Sequence, residues 1–274
     1  MKIECTICPH RCGLEAGQTG FCGARKNIDG KVSCESYGKT ATIALDAIEK
    51  KPFRKFHPGT FILSTGSYGC NLRCPYCQNH KISLPEGAPD VFDVPPEALI
   101  KKALSLKENG NIGIAYTYNE PLIGYEYVMD CAKLAHENGL LNILVTNGYI
   151  NEEPLTELLP YIDAMNIDLK SFRDDFYENI GGDLATVMNT ISIAAKKTHL
   201  EVTTLIIPGE NDGPGEMLAL SQWLSKIDYE IPLHISRFFP RHKYADKAPT
   251  PFETINSLAI VARKFLPNVY VGNV

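Results

Sequence analysis

Three closely spaced cysteines are the residues in this chain best suited to chemistry. The run GCNLRCPYCQN contains Cys70, Cys74 and Cys77, with three and then two residues between them. Thiolates bind both iron–sulfur clusters and zinc. A structural zinc site normally has four ligands, and His80 is the only further Cys or His close by in the sequence. Three thiolates on a four-iron cluster would leave one iron without a protein ligand and free to bind a substrate.

A second set of cysteines lies near the N-terminus, in steps of three, four and ten residues: Cys5, Cys8, Cys12 and Cys22. Several glycines among them let the backbone turn tightly around an ion. A closed site of four thiolates fits structural zinc and equally fits an auxiliary iron–sulfur cluster. The alternative is four reduced thiols without a metal, and His10 is a weaker competing ligand.

Composition and charge exclude several classes of protein. The chain has 274 residues, 44% of them hydrophobic and 22% charged, which is typical of an ordinary globular protein. A net charge of -5 argues against a nucleic-acid or membrane partner. We find no apolar run of about 18 residues and no apolar signal segment, so we expect a cytoplasmic protein. Its nine cysteines are then more typical of metal ligands or catalytic groups than of disulfides.

From residue 61 onward, short β-rich runs alternate with longer amphipathic runs. Strands are predicted at 61–66, 112–118, 142–148, 164–170, 202–209, 233–238 and 269–274. Helices are predicted near 95–109, 121–138, 152–160, 172–196, 214–227 and 251–266. Alternation of this kind indicates parallel βα units. Six units predict an α/β fold with a partial (β/α)6 barrel, and a doubly wound sheet is the alternative.

The pattern also predicts two parts of the chain. Residues 1–60 form a small Cys-rich metal-binding module with a connector, and residues 61–274 form the barrel. Polar residues follow nearly every predicted strand, from Cys70 after the first to Arg237 after the sixth. The carboxyl ends of parallel barrel strands form the active-site face, so we expect these side chains to share one site.

The cysteine motif resembles the signature of the radical S-adenosylmethionine superfamily, CxxxCxφC with an aromatic φ, and Tyr76 stands at φ. The resemblance implies a [4Fe–4S] cluster whose open iron chelates the amino and carboxylate groups of S-adenosylmethionine. It further implies that an electron from the reduced cluster breaks the C5′–S bond. The product is a 5′-deoxyadenosyl radical that abstracts a hydrogen atom.

Further matches to the superfamily follow in the expected order along the chain. YNEP stands where the superfamily carries its GGE-type loop, although a true GGE is absent, and DLK and TLIIPGEND resemble segments of glycyl-radical activating enzymes. HISRF resembles the sixth-strand segment that faces the substrate, and its histidine could also be a packed core residue. The resemblance assigns these residues to the cofactor side: Tyr76, Thr117, Asn119, Glu120, Asn147, Asp168, Lys170, Pro208 and His234.

Over essentially the whole chain, motifs such as CTICPHRC, GFCGARKN, VTNGY and YVGNV resemble the AmmeMemoRadiSam-system radical enzymes, relatives of the pyruvate formate-lyase activating enzyme. Many of those relatives continue beyond YVGNV. The resemblance implies an oxidoreductase that abstracts hydrogen from a glycine of a protein partner, with an electron donor such as ferredoxin or flavodoxin. One alternative is a radical enzyme acting on a small molecule or a protein side chain. Another is a metal-binding scaffold without catalysis.

Overall fold

The computed structural model describes residues 2–84, 86–87 and 90–273. The strands are β1 Ile3–Glu4, β2 Gly13–Leu14, β3 Arg25–Ile28, β4 Lys31–Cys34, β5 Lys39–Thr40, β6 Thr42–Ala47, β7 Phe61–Gly66, β8 Phe92–Asp93, β9 Asn111–Tyr116, β10 Leu141–Thr146, β11 Ala164–Asp168, β12 His199–Ile206, β13 Leu233–Arg237 and β14 Val269–Gly272. The α-helices are α1 His80–Ser83, α2 Pro96–Ser105, α3 Tyr125–Glu137, α4 Glu152–Leu158, α5 Asp174–Asn179, α6 Leu184–Ala194, α7 Pro214–Ile227 and α8 Phe252–Ala262. Short 3-10 helices lie at Ile48–Lys50, Lys107–Asn109, Pro121–Gly124, Leu159–Tyr161 and His242–Tyr244.

The central sheet has the order β14-β13-β12-β11-β10-β9-β7-β6. Neighbouring strands from β7 to β14 run parallel, and β6 joins the edge antiparallel to β7. Helices follow β7, β9, β10, β11, β12 and β13, which gives the six βα units predicted for a partial barrel. The α/β fold with parallel strands is thereby confirmed. No helix in the described ranges is long and apolar enough to cross a membrane.

One predicted helix is wrong in its extent. Residues 172–196 form two helices, α5 and α6, rather than one. Gly181 adopts a φ of 78° between them, a left-handed conformation that glycine tolerates and an α-helix does not continue through. Asp183 then caps α6, because its side chain accepts a hydrogen bond from the Thr186 N–H at 2.7 Å. The amphipathic pattern continues across the break and therefore hides it.

The lower end of the barrel, where the parallel strands begin, is closed by the segment that follows β6. Ile48 and Phe53 are fully buried there against Ile62, Ala115, Ile143 and Ala164. The Asn166 side chain donates a hydrogen bond to the Pro52 carbonyl at 2.7 Å. This set of contacts is called the barrel floor below. It leaves the opposite end, where the strands finish, for the predicted site.

A buried carboxylate organises the barrel floor. Glu201 is fully buried on β12 and accepts hydrogen bonds from the N–H groups of Arg54 at 3.0 Å and Lys55 at 2.8 Å. It also contacts the rings of His199 at 3.0 Å and His234 at 2.6 Å. Burial alone would raise the pKa of Glu201, but these hydrogen bonds lower it to about 2. The carboxylate therefore stays ionised and holds the connector against the strands.

The N-terminal residues fold as small hairpins attached to the barrel. β1 pairs with β2 and β3 with β4, both antiparallel. Arg25 is 5% exposed and forms a bidentate ion pair with Glu126 of α3 at 2.6 and 2.7 Å, with a third hydrogen bond to the Ile123 carbonyl. β6 belongs to the central sheet although it precedes residue 60. The division of the chain at residue 60 stays a prediction.

Candidate active site

The three clustered cysteines lie on the loop that follows β7, at the end of the barrel opposite the floor. Gly69 has a φ of 88°, and a Cβ atom there would lie 2.6 Å from the Cys22 carbonyl oxygen. That approach lets the Cys70 N–H donate to the same carbonyl at 3.1 Å. Farther along the loop, the Cys77 N–H donates to the Cys74 carbonyl at 3.2 Å. The loop thus presents its cysteines while resting on the N-terminal module.

The sulfur atoms of Cys70 and Cys74 sit in a desolvated but polar environment. Cys70 Sγ accepts from the Leu72 N–H at 3.4 Å and from Asn147 Nδ2 at 3.7 Å. Burial raises the pKa of the Cys70 and Cys74 thiols, with the neighbouring cysteines adding to the rise at both. Thiolates held so close together are stabilised by a bound cation, as in metal and iron–sulfur sites.

Tyr76 lies between the second and third cysteines and is 4% exposed. Its ring packs beside Phe176 and Tyr244, with centroids 6.1 and 6.0 Å away. Its hydroxyl is buried near the Cys74 thiol, a weak acceptor, and makes no hydrogen bond of ordinary geometry within the described part of the chain. A buried hydroxyl whose only partner is a weak acceptor costs free energy. A bound group that accepts or donates a hydrogen bond there would remove that cost.

Asp168 and Lys170 form an ion pair at the end of β11, with Nζ and Oδ2 2.7 Å apart. Burial disfavours the ammonium, but Asp168 and the nearby Cys74 outweigh it and raise the pKa of Lys170. The Asn211 side chain donates to the Lys170 carbonyl at 2.9 Å, which ties the loop containing Pro208 to this pair. The DLK segment at residues 168–170 and the loop containing Pro208 therefore lie together beside the cysteine loop.

Glu120 is 2% exposed and links two strand ends. One carboxylate oxygen accepts from Thr146 Oγ1 at 2.7 Å and the Leu122 N–H at 3.0 Å, and the other accepts from the Asn147 N–H at 2.8 Å. Burial raises the pKa of Glu120 to about 7, although these donors and Lys170 act to lower it. A carboxylate has about four acceptor positions, and these donors occupy three of them.

The residues before Glu120 have structural partners of their own. Asn119 accepts from the Ser67 N–H at 3.0 Å and donates to the carbonyls of Tyr68 and Gly69 at 3.1 and 3.2 Å. The Thr117 N–H donates a hydrogen bond to the Thr65 carbonyl at 2.9 Å. Asn119 thus fixes the start of the cysteine loop. Whether either residue also touches a ligand stays a prediction.

His234 lies apart from the other predicted site residues. It is 4% exposed, and its Nε2 is 2.6 Å from Glu201 in the barrel floor. Its ring stacks on Tyr270 with centroids 5.4 Å apart. These contacts favour the interpretation as a packed core histidine over that of a cofactor contact, which remains a prediction.

Two residues inside the cysteine motif have roles that the sequence analysis missed. Asn71 is buried and accepts from Asn147 Nδ2 at 2.9 Å while it donates to the Tyr149 carbonyl at 2.6 Å. Arg73 donates to the Cys70 carbonyl at 2.7 Å and to the Phe21 carbonyl, and its guanidinium lies 3.9 Å from the centre of the Phe21 ring. Their polar character between the cysteines of the motif is the signal that could have identified them.

The N-terminal cysteines adjoin the same loop. Burial raises the pKa of Cys8 to about 11, although the His10 N–H and the Asn71 side chain lower it. Burial likewise raises the pKa of Cys22, and the N–H groups of Ala24 and Arg25 oppose the rise. Across residues 2–84, 86–87 and 90–273, no three His, Cys, Asp or Glu side chains are arranged to hold a single metal ion, in either cysteine set. The four-thiolate site stays a prediction.

The cysteine loop and its surroundings fit the group that the motif predicts. Three thiols on one loop suit a cluster with an open iron. The weakly partnered Tyr76 hydroxyl and the fourth acceptor position of Glu120 would suit a polar ligand beside that cluster. Lys170, next to Asp168 and Cys74, adds a cation where negative charge accumulates.

Comparisons with known proteins agree with this geometry. Residues 65–220 match the family described as the Radical SAM superfamily. The whole chain is 41% identical over 278 residues to an uncharacterized protein of Methanocaldococcus jannaschii, of which the match covers 82%. A pyruvate formate-lyase-activating enzyme of Clostridium pasteurianum is 29% identical over 153 residues, 52% of this chain and 63% of that enzyme.

A solved structure shares the fold. It is a domain of the pyruvate-formate lyase-activating enzyme from Bacteroides vulgatus, with a TM-score of 0.51 and 18% identity, covering 59% of this chain and 99% of that domain. At this identity the likeness shows the fold alone. Taken with the family match and the near full-length relative, the cysteine loop leads to one conclusion: this chain is an enzyme that belongs to the radical S-adenosylmethionine superfamily, whose members use a [4Fe–4S] cluster and S-adenosylmethionine.

Proposed function

We propose that Cys70, Cys74 and Cys77 ligate the [4Fe–4S] cluster and that the strand ends around them bind S-adenosylmethionine. The supporting observation is the loop itself, which carries all three thiols and buries the Tyr76 hydroxyl beside Cys74. When bound, the cluster and S-adenosylmethionine supply a 5′-deoxyadenosyl radical for hydrogen abstraction.

In this proposal the chain's own residues bind and orient the cofactor. Glu120 accepts a hydrogen bond from the methionine ammonium through its fourth acceptor position. Asp168 and Lys170, paired at 2.7 Å, present one carboxylate and one ammonium at the end of β11. Asn147, Thr117, Asn119 and Pro208 complete the binding surface from neighbouring strand ends. Burial of Cys74 and Tyr76 keeps water away from that side of the cysteine loop.

Replacing Glu120 tests this binding surface. Glu120→Gln removes the charge and puts an NH₂ group among donors that need an acceptor, so we expect a rise of about tenfold in KM for S-adenosylmethionine, equivalent to about 1.4 kcal/mol. Formation of 5′-deoxyadenosine at varied S-adenosylmethionine provides the measurement. Glu153→Gln, an exposed carboxylate on α4, is the matched control. Equal KM values in both variants would contradict the assignment.

We infer further that the substrate is a glycine of a protein partner. The inference is supported by the similarity to the enzyme from Clostridium pasteurianum, which is named as activating pyruvate formate-lyase. The matched part spans 63% of that enzyme, so its activity is a proposal for this chain. In the same scheme the N-terminal thiols hold zinc or a second iron–sulfur cluster, and residues 1–60 act as a metal-binding module. An electron donor such as ferredoxin or flavodoxin supplies the electron in the cytoplasm.

Isotope transfer tests this substrate class. The reconstituted enzyme would be incubated with dithionite, S-adenosylmethionine and a pyruvate formate-lyase whose glycines carry deuterium at Cα. Deuterium in the 5′-deoxyadenosine, together with a glycyl radical signal by electron paramagnetic resonance, is the expected result. Unlabelled 5′-deoxyadenosine without such a signal would argue against glycine activation by this enzyme on that partner, and radical S-adenosylmethionine catalysis would stand.

A further inference from the structure

The segment of residues 237–250, called the strap below, folds from the end of β13 onto the cysteine loop before α8 begins. The Lys243 N–H donates to the Pro75 carbonyl at 2.9 Å, between two of the cluster cysteines. The rings of His242 and His80 stack with centroids 4.6 Å apart. At its far end Thr250 Oγ1 donates to the Ile206 carbonyl at 2.6 Å. The strap is therefore anchored at its middle and at its C-terminal end, and it borders the cysteine loop.

The strap is cationic in a protein that is acidic as a whole. It carries two arginines and two lysines against one acidic residue, Asp246, while the whole chain has a net charge of -5. Lys247 is paired with Glu210 at 2.7 Å. Arg241 and Lys243 are exposed, and no ion pair engages either side chain within the described part of the chain. Their charges are available to a partner.

An aromatic side chain stands among these charges. Phe239 is 37% exposed, and the guanidinium of Arg237 lies 5.0 Å from the centre of its ring. The Arg237 Nε also donates to the Thr250 carbonyl at 2.6 Å, which holds the pair in place. Exposed arginine and aromatic side chains are enriched in protein–protein interfaces. The strap thus combines a fixed aromatic contact with free positive charge.

We propose that the strap is the docking surface for a small acidic electron-carrier protein, an inference that rests on the proposed function. Cys77 is only partly buried. His80 follows it by three residues and stacks on His242 of the strap. A carrier bound here would bring its cofactor near the cluster. One electron leaves the carrier, which is oxidised, and the cluster is reduced by that electron.

The size and charge of the surface favour a redox encounter. Electron-transfer complexes bury little area and are transient, and opposite charges speed their formation. A surface of one short strap with two free cations suits such an encounter, whereas a stable protein complex needs a larger interface. Salt weakens attraction of this kind because it screens exposed charges.

Charge reversal on the strap tests the proposal. The double variant Arg241→Glu with Lys243→Glu would be compared with Lys226→Glu with Lys264→Glu. Lys226 lies in the last turn of α7 and Lys264 follows α8, so both lie where these helices return toward the barrel floor. Binding of a flavodoxin to the reconstituted enzyme would be measured by calorimetry. Reduction of the cluster by reduced flavodoxin would be followed by absorbance.

We expect the strap variant to bind flavodoxin at least tenfold more weakly and to be reduced more slowly by it, with salt affecting the variant less than the wild type. The control variant should change less than twofold. Both should still form 5′-deoxyadenosine with dithionite. Equal flavodoxin binding by the two variants would overturn the proposal. The proposal would also be overturned if the strap variant alone lost deuterium transfer from glycine while its binding of flavodoxin was unchanged. Failure of wild-type cleavage with dithionite would instead count against the proposed function.

Discussion

The two cysteine regions of this enzyme differ in how the fold supports them. The loop with Cys70, Cys74 and Cys77 projects from the end of a barrel strand and is held by side chains from neighbouring strand ends, such as Asn119 and Asn147. The N-terminal cysteines lie among two-residue and four-residue strands that bury few apolar side chains of their own. Three thiols supported by a rigid sheet suit chemistry, and four in a small module suit a stabilising site.

The regions are nevertheless in contact. The Cys22 carbonyl accepts the Cys70 N–H at 3.1 Å, and Asn71 lies next to Cys8 on one side and Asn147 on the other. The two regions are therefore held in contact, and they differ in what each contributes to catalysis and to stability. Three substitutions can separate the contributions.

The largest effect is expected for the barrel loop. Cys74→Ala removes one of the three proposed cluster ligands. Formation of 5′-deoxyadenosine should therefore fall by more than about 100-fold, which exceeds the loss expected from removing a side chain that only contacts a metal ligand. The assay is anaerobic reconstitution with dithionite and S-adenosylmethionine, followed by chromatography and iron analysis. Cys34→Ala, a cysteine outside both sets, is the control and should keep its activity.

Persistent cleavage by the Cys74→Ala protein would remove the distinction between the two regions. Loss of cleavage in Cys34→Ala as well would indicate general damage to the fold rather than loss of a ligand.

A smaller effect on chemistry, and a larger one on stability, is expected for the N-terminal set. If the N-terminal thiols hold the proposed metal, Cys8→Ala should release it and lower the free energy of unfolding by several kcal/mol, a fraction of the roughly 10–16 kcal/mol that structural zinc contributes in zinc-finger peptides. Urea denaturation and metal analysis provide the measurements. Cleavage with dithionite should remain within about threefold of wild type per intact [4Fe–4S] cluster.

If Cys8→Ala abolished cleavage while the chain stayed folded and kept its barrel cluster, the N-terminal site would take part in the reaction. If no metal were released, the four thiols would be reduced cysteines.

The smallest effect is expected at the contact between the regions. Asn71→Ala leaves Asn147 Nδ2 and the Tyr149 carbonyl without their partner, which costs about 1–3 kcal/mol of folding free energy. Because Asn147 also contacts Cys70 Sγ, the electron paramagnetic resonance spectrum of the reduced cluster should change. Asn189→Ala, on the surface of α6, is the control. An unchanged spectrum would show that the regions touch without influencing each other.

Much of the fold could be predicted from the sequence because its elements repeat a local pattern. The strand Phe61–Gly66 and the helix Pro214–Ile227 occupy the predicted ranges, since apolar periodicity and an initial proline are local signals. The break at Gly181 was missed because the apolar pattern continues through it. The antiparallel pairing of β6 with β7 was missed because edge pairing depends on residues elsewhere in the chain.

The site divides in the same way. The sequence by itself predicted which three thiols would act together, because short separations along one loop keep their sulfur atoms close, and the resemblance of that motif to the superfamily signature predicted the kind of cofactor. Only the tertiary structure decided that Asn119 supports that loop, that His234 belongs to the barrel floor with Glu201, and that Asn71 and Arg73 join the two cysteine regions. Those contacts connect residues far apart in sequence, and packing alone determines which polar side chains meet.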